Sequence, residues 1–165
     1  MTKDNNNEKL LQGKPPGASE TETTELILPN DTNLLGNLLG GRLMHWIDLT
    51  AAMAASRHSN SIVATAALDS LDFRHPIKQG EIVILKAKLS WVGNTSMEVI
   101  VRAYAEDMIT GTVILTNEAY LTFVALDKNG RPKKVPSLLP ETEQERKDFI
   151  GGEERRKKRL AGKEK

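Results

Sequence analysis

Residues 41–57, GRLMHWIDLTAAMAASR, limit the possible folds of this chain more than any other segment. Alanine, leucine and methionine favour a helix there. Leu43, Ile47, Thr50, Ala51 and Ala54 share one side at helical spacing, and Met44, Leu49, Ala52, Met53 and Ala55 carry the apolar surface nearly all the way round. A helix apolar on almost every side is expected to be buried. Gly40 and Gly41 stand at its start, where glycine lets the backbone bend tightly.

Everything around this helix alternates with period two, the signature of half-buried strands. Thr23–Leu28 is a short strand ended by Pro29, and Ile62–Phe73 is a longer one stopped near Pro76 and Gly80. Val83, Leu85, Ala87, Leu89 and Trp91 form one apolar face, and Met97, Val99, Val101, Ala103 and Ala105 the next, with a turn at Gly93-Asn94 between them. After a second turn at Thr110-Gly111, Val113–Leu126 is the last strand, closed by Asp127-Lys128-Asn129-Gly130. One long buried helix and five to six antiparallel strands imply an α+β fold in which the sheet wraps the helix. The open edges of such a sheet imply pairing with a second copy.

The ends are polar. Residues 1–22 hold almost no large apolar side chain and are expected to form a disordered arm. Residues 137–165 carry charge of nearly balanced sign and are expected to form a solvated helix or tail, which leaves residues 23–136 as the folded body. A formal net charge of +1 gives no field that would draw the chain to nucleic acid. The longest near-apolar run, Leu43–Ala55, is too short for the roughly 20 residues of a membrane span, and no secretory h-region is visible. The absence of cysteine removes thiolate nucleophiles and zinc–thiolate sites and fits a reducing, cytoplasmic setting.

Asp48 is the most informative residue, a carboxylate in the middle of an otherwise apolar helix. Burying such a group is costly unless it is hydrogen-bonded, paired or protonated, and the same environment suits a general base or nucleophile working near neutrality. A carboxylate on a flank of the helix that reaches water at a subunit boundary would also explain the pattern. Polar residues and glycines lead directly into the helix, where the first amides lack partners and the dipole is positive. The Gly41 amide is therefore an oxyanion donor, and Asn37 a group to orient water or a thioester. A plain tight turn would need the same glycines. His45 lies three residues before Asp48 and close enough to pair with it. His58, past the expected helix end, reads as a structural cation favoured by the dipole, and His75 lies in a loop. Three histidines so scattered show no metal-ligand spacing.

Asp31-Thr32-Asn33-x-x-Gly36-Asn37-x-x-Gly40-Gly41, with Asp48 seven residues on, resembles the long- and medium-chain acyl-CoA thioesterases of the hotdog superfamily. Leu71-Asp72-Phe73 with Pro76 and Gly80, Trp91-Val92-Gly93-Asn94-Thr95-Ser96, and Phe123-Val124-Ala125-Leu126-Asp127 extend the likeness over roughly Leu26–Pro136. The resemblance implies a hotdog fold and hydrolysis of acyl-CoA to a free acid and CoA, without any cofactor or metal. It implies catalysis by Asp48, by Asn37 from the partner subunit and by the Gly41 amide. Gly40, Asp72, Phe73, Asn94, Thr95 and Ser96 would contact substrate, and a homodimer would assemble further into a trimer of dimers. Many relatives carry arginine where this chain has Asn94, so Arg74, Lys78, Arg131, Lys133 and Lys134 become candidates for the CoA phosphates. Two rival expectations remain: a hotdog dehydratase using His45 with Asp48, and a module that binds acyl-CoA without cleaving it.

Overall fold

The computed structural model describes residues 11–163, so the first ten residues of the expected arm lie outside the described part. Five strands form one antiparallel sheet: β1 (Thr21–Leu26), β2 (Ile62–Phe73), β3 (Ile82–Val92), β4 (Ser96–Glu106) and β5 (Val113–Leu126). Their order is β1-β3-β4-β5-β2, so the meander β3-β4-β5 is flanked by β1 on one side and β2 on the other. The long helix α1 (Gly40–Ser59) packs against all five strands. This is the wrapped arrangement that the periodicities imply.

Small side chains let helix and sheet approach closely. Ala51, Ala54 and Ala55 meet a sheet face that includes Ala87, Ala103, Ala119 and Ala125, all fully buried. Leu43, Ile47, Leu85, Val99, Leu121 and Phe123 fill the remaining space. α1 ends where Asn60 adopts a left-handed conformation (φ 50°), a geometry that asparagine tolerates, and returns its amide to the Ser56 carbonyl.

The apolar surface of α1 is buried on one side only. Met44, Leu49 and Met53 are 43%, 49% and 41% exposed, because the sheet curves round a single face and nothing in one chain covers the other. His58 also departs from expectation. It lies inside the helix with its ring fully buried, its Nε2 2.8 Å from the Pro136 carbonyl oxygen. Burial pushes its pKa below the usual histidine value, so it sits there as a neutral ring and not as a cation at the dipole.

Both ends are more ordered than their composition suggests. Residues 11–22 are not a loose arm: a 3-10 turn spans Pro16–Ser19, β1 begins at Thr21, and the Lys14 main chain pairs with Ser137 and Leu139. The Lys14 ammonium adds bonds to the Arg57 carbonyl and the Asn60 side chain at the end of α1. The C-terminal stretch forms α2 (Glu143–Lys163), which lies on the face of the sheet opposite α1. Its Arg155 makes two hydrogen bonds to Glu98, a carboxylate only 2% exposed, and stacks over the Tyr120 ring at 3.8 Å. Basic residues that read as a solvated run are thus anchors on the sheet. Among the described residues, no helix is long and apolar enough to cross a membrane.

Candidate active site

α1 begins without a side-chain cap; its N-cap is Leu39. The first amides of a helix have no acceptor within it, so those of Gly40 and Gly41 face outward. Neither glycine has positive φ, so neither is there for a tight bend; the left-handed glycine of this segment is Gly36 (φ 76°). A Cβ placed on Gly41 would meet nothing within 4 Å. Its missing side chain keeps the space before its amide open.

Two turns along the helix, Asp48 opens into the same hollow, a cavity of about 350 Å³ lined also by Met44, His45, Ile47, Thr65, Leu68, Leu71 and Leu121. Apart from Asp48, His45, Thr65 and the Gly41 backbone, the walls are apolar. The expectation of a lone, buried carboxylate is corrected. Asp48 is half-buried, the Thr65 hydroxyl donates a 2.8 Å hydrogen bond to its Oδ1, and Oδ2 makes no hydrogen bond among the described residues. β2 is an edge strand and leaves this side of the helix partly open, which is why burial is incomplete. His45 lines the cavity but makes no hydrogen bond to Asp48 among the described residues. The pairing that a His–Asp base would need is absent from this geometry.

The other expected residues lie elsewhere in the single chain. Asn37, Gly40 and Phe73 line a second cavity of about 320 Å³ with His75, Ile77 and Asn117. Asp72, next to Phe73, is exposed and held by Arg74 at 2.9 Å, while its carbonyl accepts from Asn117. Asn94 lines a third hollow, of about 390 Å³, with Lys134, Leu138 and Phe149. Thr95 accepts the Ala125 amide through its carbonyl, and the Ser96 hydroxyl accepts from Arg156, whose guanidinium lies 4.8 Å from the Trp91 ring. One chain therefore brings Gly41 and Asp48 together and keeps Asn37 and Asn94–Ser96 apart from them. A wider hollow of about 620 Å³ between the 75–81 loop and the β4–β5 turn contains none of the expected catalytic groups.

Two residues that the sequence did not single out hold polar groups in this region. Thr65 lies seventeen residues after Asp48 on another element, and no periodicity reveals which strand residue faces which helix residue. Asn33 was read only as part of a motif. Its side-chain oxygen accepts the amides of Leu35 and Asn37, which fixes the carboxamide, and its NH2 has no acceptor among the described residues.

A five-stranded antiparallel sheet around one helix, with a carboxylate and an open helix N-terminus sharing an apolar hollow, defines a hotdog-fold domain. The sequence matches the Thioesterase superfamily over residues 35–112. It is 45% identical over 127 residues to an uncharacterised acyl-CoA thioester hydrolase of Bacillus subtilis (YkhA), covering 77% of this chain and 74% of that protein. The chain belongs to the hotdog acyl-CoA thioester hydrolases of this superfamily. Mouse cytosolic acyl coenzyme A thioester hydrolase is 32% identical, but the chain spans only 36% of its length. Among solved structures, an apo-hexameric acyl-CoA thioesterase superposes with a TM-score of 0.88 at 41% identity, covering 91% of this chain and 96% of that one. An acyl-CoA hydrolase of Staphylococcus aureus, solved with butyryl coenzyme A, coenzyme A and coenzyme A disulfide, gives 0.86 at 38% identity, with 91% and 92% covered. That hydrolase was also solved with an aspartate, an asparagine and a threonine each replaced by alanine.

Proposed function

We propose that this chain hydrolyses the thioester of fatty acyl-CoA, giving a free acid and CoA, with Asp48 as general base or nucleophile. The observation that carries this reading is the hollow shared by Asp48, Thr65 and the Gly41 amide. Thr65 holds one carboxylate oxygen, and the other takes a proton from a water that attacks the thioester carbon. The carbonyl oxygen becomes negative as the tetrahedral intermediate forms, and the Gly41 amide with the helix dipole stabilises that charge. Collapse breaks the C–S bond and the thiolate leaves, to be protonated from Asp48. In the nucleophilic variant, Asp48 attacks first and water opens the resulting anhydride. The apolar walls from Ile47, Leu68, Leu71 and Leu121 suit an alkyl chain.

The active unit is a homodimer, with three dimers forming a trimer of dimers. Support comes from the exposed apolar side of α1 and from β2, an open edge with Ile62 68% and Phe73 57% exposed. Relatives are described as hexameric. An asparagine from the partner completes each site. Asn33 is the better candidate than Asn37. In the S. aureus hydrolase the replaced asparagine stands fifteen residues before the replaced aspartate, and the threonine seventeen after it. Asn33, Asp48 and Thr65 repeat both separations.

The test is thiol release from acyl-CoA esters of increasing chain length, with wild type and Asp48→Ala. A positioned acid–base group contributes about 10²–10⁴ to the rate, so the variant should lose at least 100-fold in kcat. Retention of more than about a tenth of kcat, a loss under ~1.4 kcal/mol, would remove Asp48 from the chemistry.

A further inference from the structure

α2 crosses the outer face of the sheet as a strap, with a charged or π contact on each of four strands. Glu145 meets Lys88 of β3, Arg155 meets Glu98 of β4 and Tyr120 of β5, and Arg159 meets Asp69 of the edge strand β2. The last contact is short, 2.7 Å, and the two side chains are only 20% and 19% exposed. Asp69 also directly follows Leu68, which lines the cavity.

Asp69 has no ladder partner on β5. The register runs Thr65↔Phe123, Ala67↔Thr122, Leu68↔Leu121, Ser70↔Tyr120, so Ala66 and Asp69 are the extra residues of two bulges. Side chains alternate along a regular strand, which would send residues three apart to opposite faces. Thr65, Leu68 and Leu71 are three apart, yet all three line the cavity with Asp48. The bulges account for this, each resetting the alternation by one residue and re-aiming the next side chain inward. Within one chain β5 is the only strand beside β2, and the described residues give Asp69 one side-chain partner, Arg159.

We propose that Arg159 is a positioning residue: by holding the Asp69 bulge it sets the direction of Leu68 and Leu71, and thereby which acyl chains the cavity accepts. The proposal rests on the hydrolase reading above. A pocket wall altered by about one methylene changes discrimination by roughly 10-fold or more. In Arg159→Met and in Asp69→Asn, the ratio of kcat/KM for palmitoyl-CoA to that for butyryl-CoA should shift by about 10-fold, while kcat on butyryl-CoA stays within about 2-fold of wild type. The exchange of charges, Asp69→Arg with Arg159→Asp, should return the ratio toward the wild-type value. Hydrogen exchange of the amides of residues 66–70, read in the same proteins without substrate, should speed up in the single variants and slow again in the exchange variant. An unchanged ratio, or equal losses on both substrates with a lowered melting temperature, would reduce the contact to plain structural support. If wild type cleaves no acyl-CoA, the hydrolase reading and its selectivity claim fall together. The exchange data then still decide whether Arg159 anchors the bulge: unaltered protection in the single variants overturns it.

Discussion

His58 is a residue whose chemistry can be read without any ligand. Its ring is fully buried at the end of α1, Nε2 contacts the Pro136 carbonyl, and Nδ1 has no partner among the described residues. Burial lowers its pKa, the Pro136 contact opposes that shift, and the Lys14 charge adds to it. The unfolded chain therefore takes up a proton near pH 6.5 while the folded chain still refuses it. Stability is fully present above pH 6.5 and falls as pH drops below it, toward the lower folded value. The melting temperature should decline between pH 7 and pH 5.5, and the decline should flatten in His58→Gln, which keeps a side-chain amide near Pro136. A wild-type melting temperature constant over that range would contradict this account. At Asp48, the sequence identified the carboxylate but not its partner. The threonine that holds it arrives from a strand seventeen residues later, through a register that only the folded sheet defines.

At the scale of elements, α2 depends on two glycines that do opposite things. A Cβ on Gly152 would lie 2.6 Å from the Trp91 Cβ and 3.0 Å from a Glu98 oxygen, so α2 sits on the sheet only because that side chain is missing. Gly152→Ala should cost about 1–3 kcal/mol by overpacking in urea unfolding, more if Arg155 is lifted from buried Glu98. A Cβ on Gly162 meets nothing within 4 Å, so Gly162→Ala should be neutral or gain up to ~1 kcal/mol from helix propensity. Equal effects at the two positions would contradict the close crossing. The bounds of β2 and β5 could be read directly from alternation bounded by turns, and α1 from its apolar residues. The role of α2 could not. Its cations are spaced as on a solvated helix, and only the buried Glu98 across the sheet turns Arg155 into an anchor. The order of residues 14–22 was hidden for a similar reason: it rests on main-chain bonds of Lys14 to Ser137 and Leu139, which composition does not encode.

For the whole molecule, the proposal that an asparagine of the partner completes each site leads to a test of shared sites. Asp48→Ala and Asn33→Ala should each be inactive alone. Co-expressed, they pair at random, half the dimers are mixed, and each mixed dimer holds one site with both defects and one with none. About a quarter of all sites should therefore be intact, and activity should recover toward that fraction. No recovery, with mixed dimers verified by two different tags, would put both residues in the site of one subunit. The strap has a further consequence for how the protein is made. Asp69 leaves the ribosome ninety residues ahead of Arg159, a delay of roughly 5–20 s at ordinary synthesis rates. Once β5 has been made and has paired with β2, the bulges stay unheld until α2 follows, on the very edge that a second copy would join. Subunits that met so early would pair through a strand not yet in its final shape, so the order of synthesis favours assembly after release.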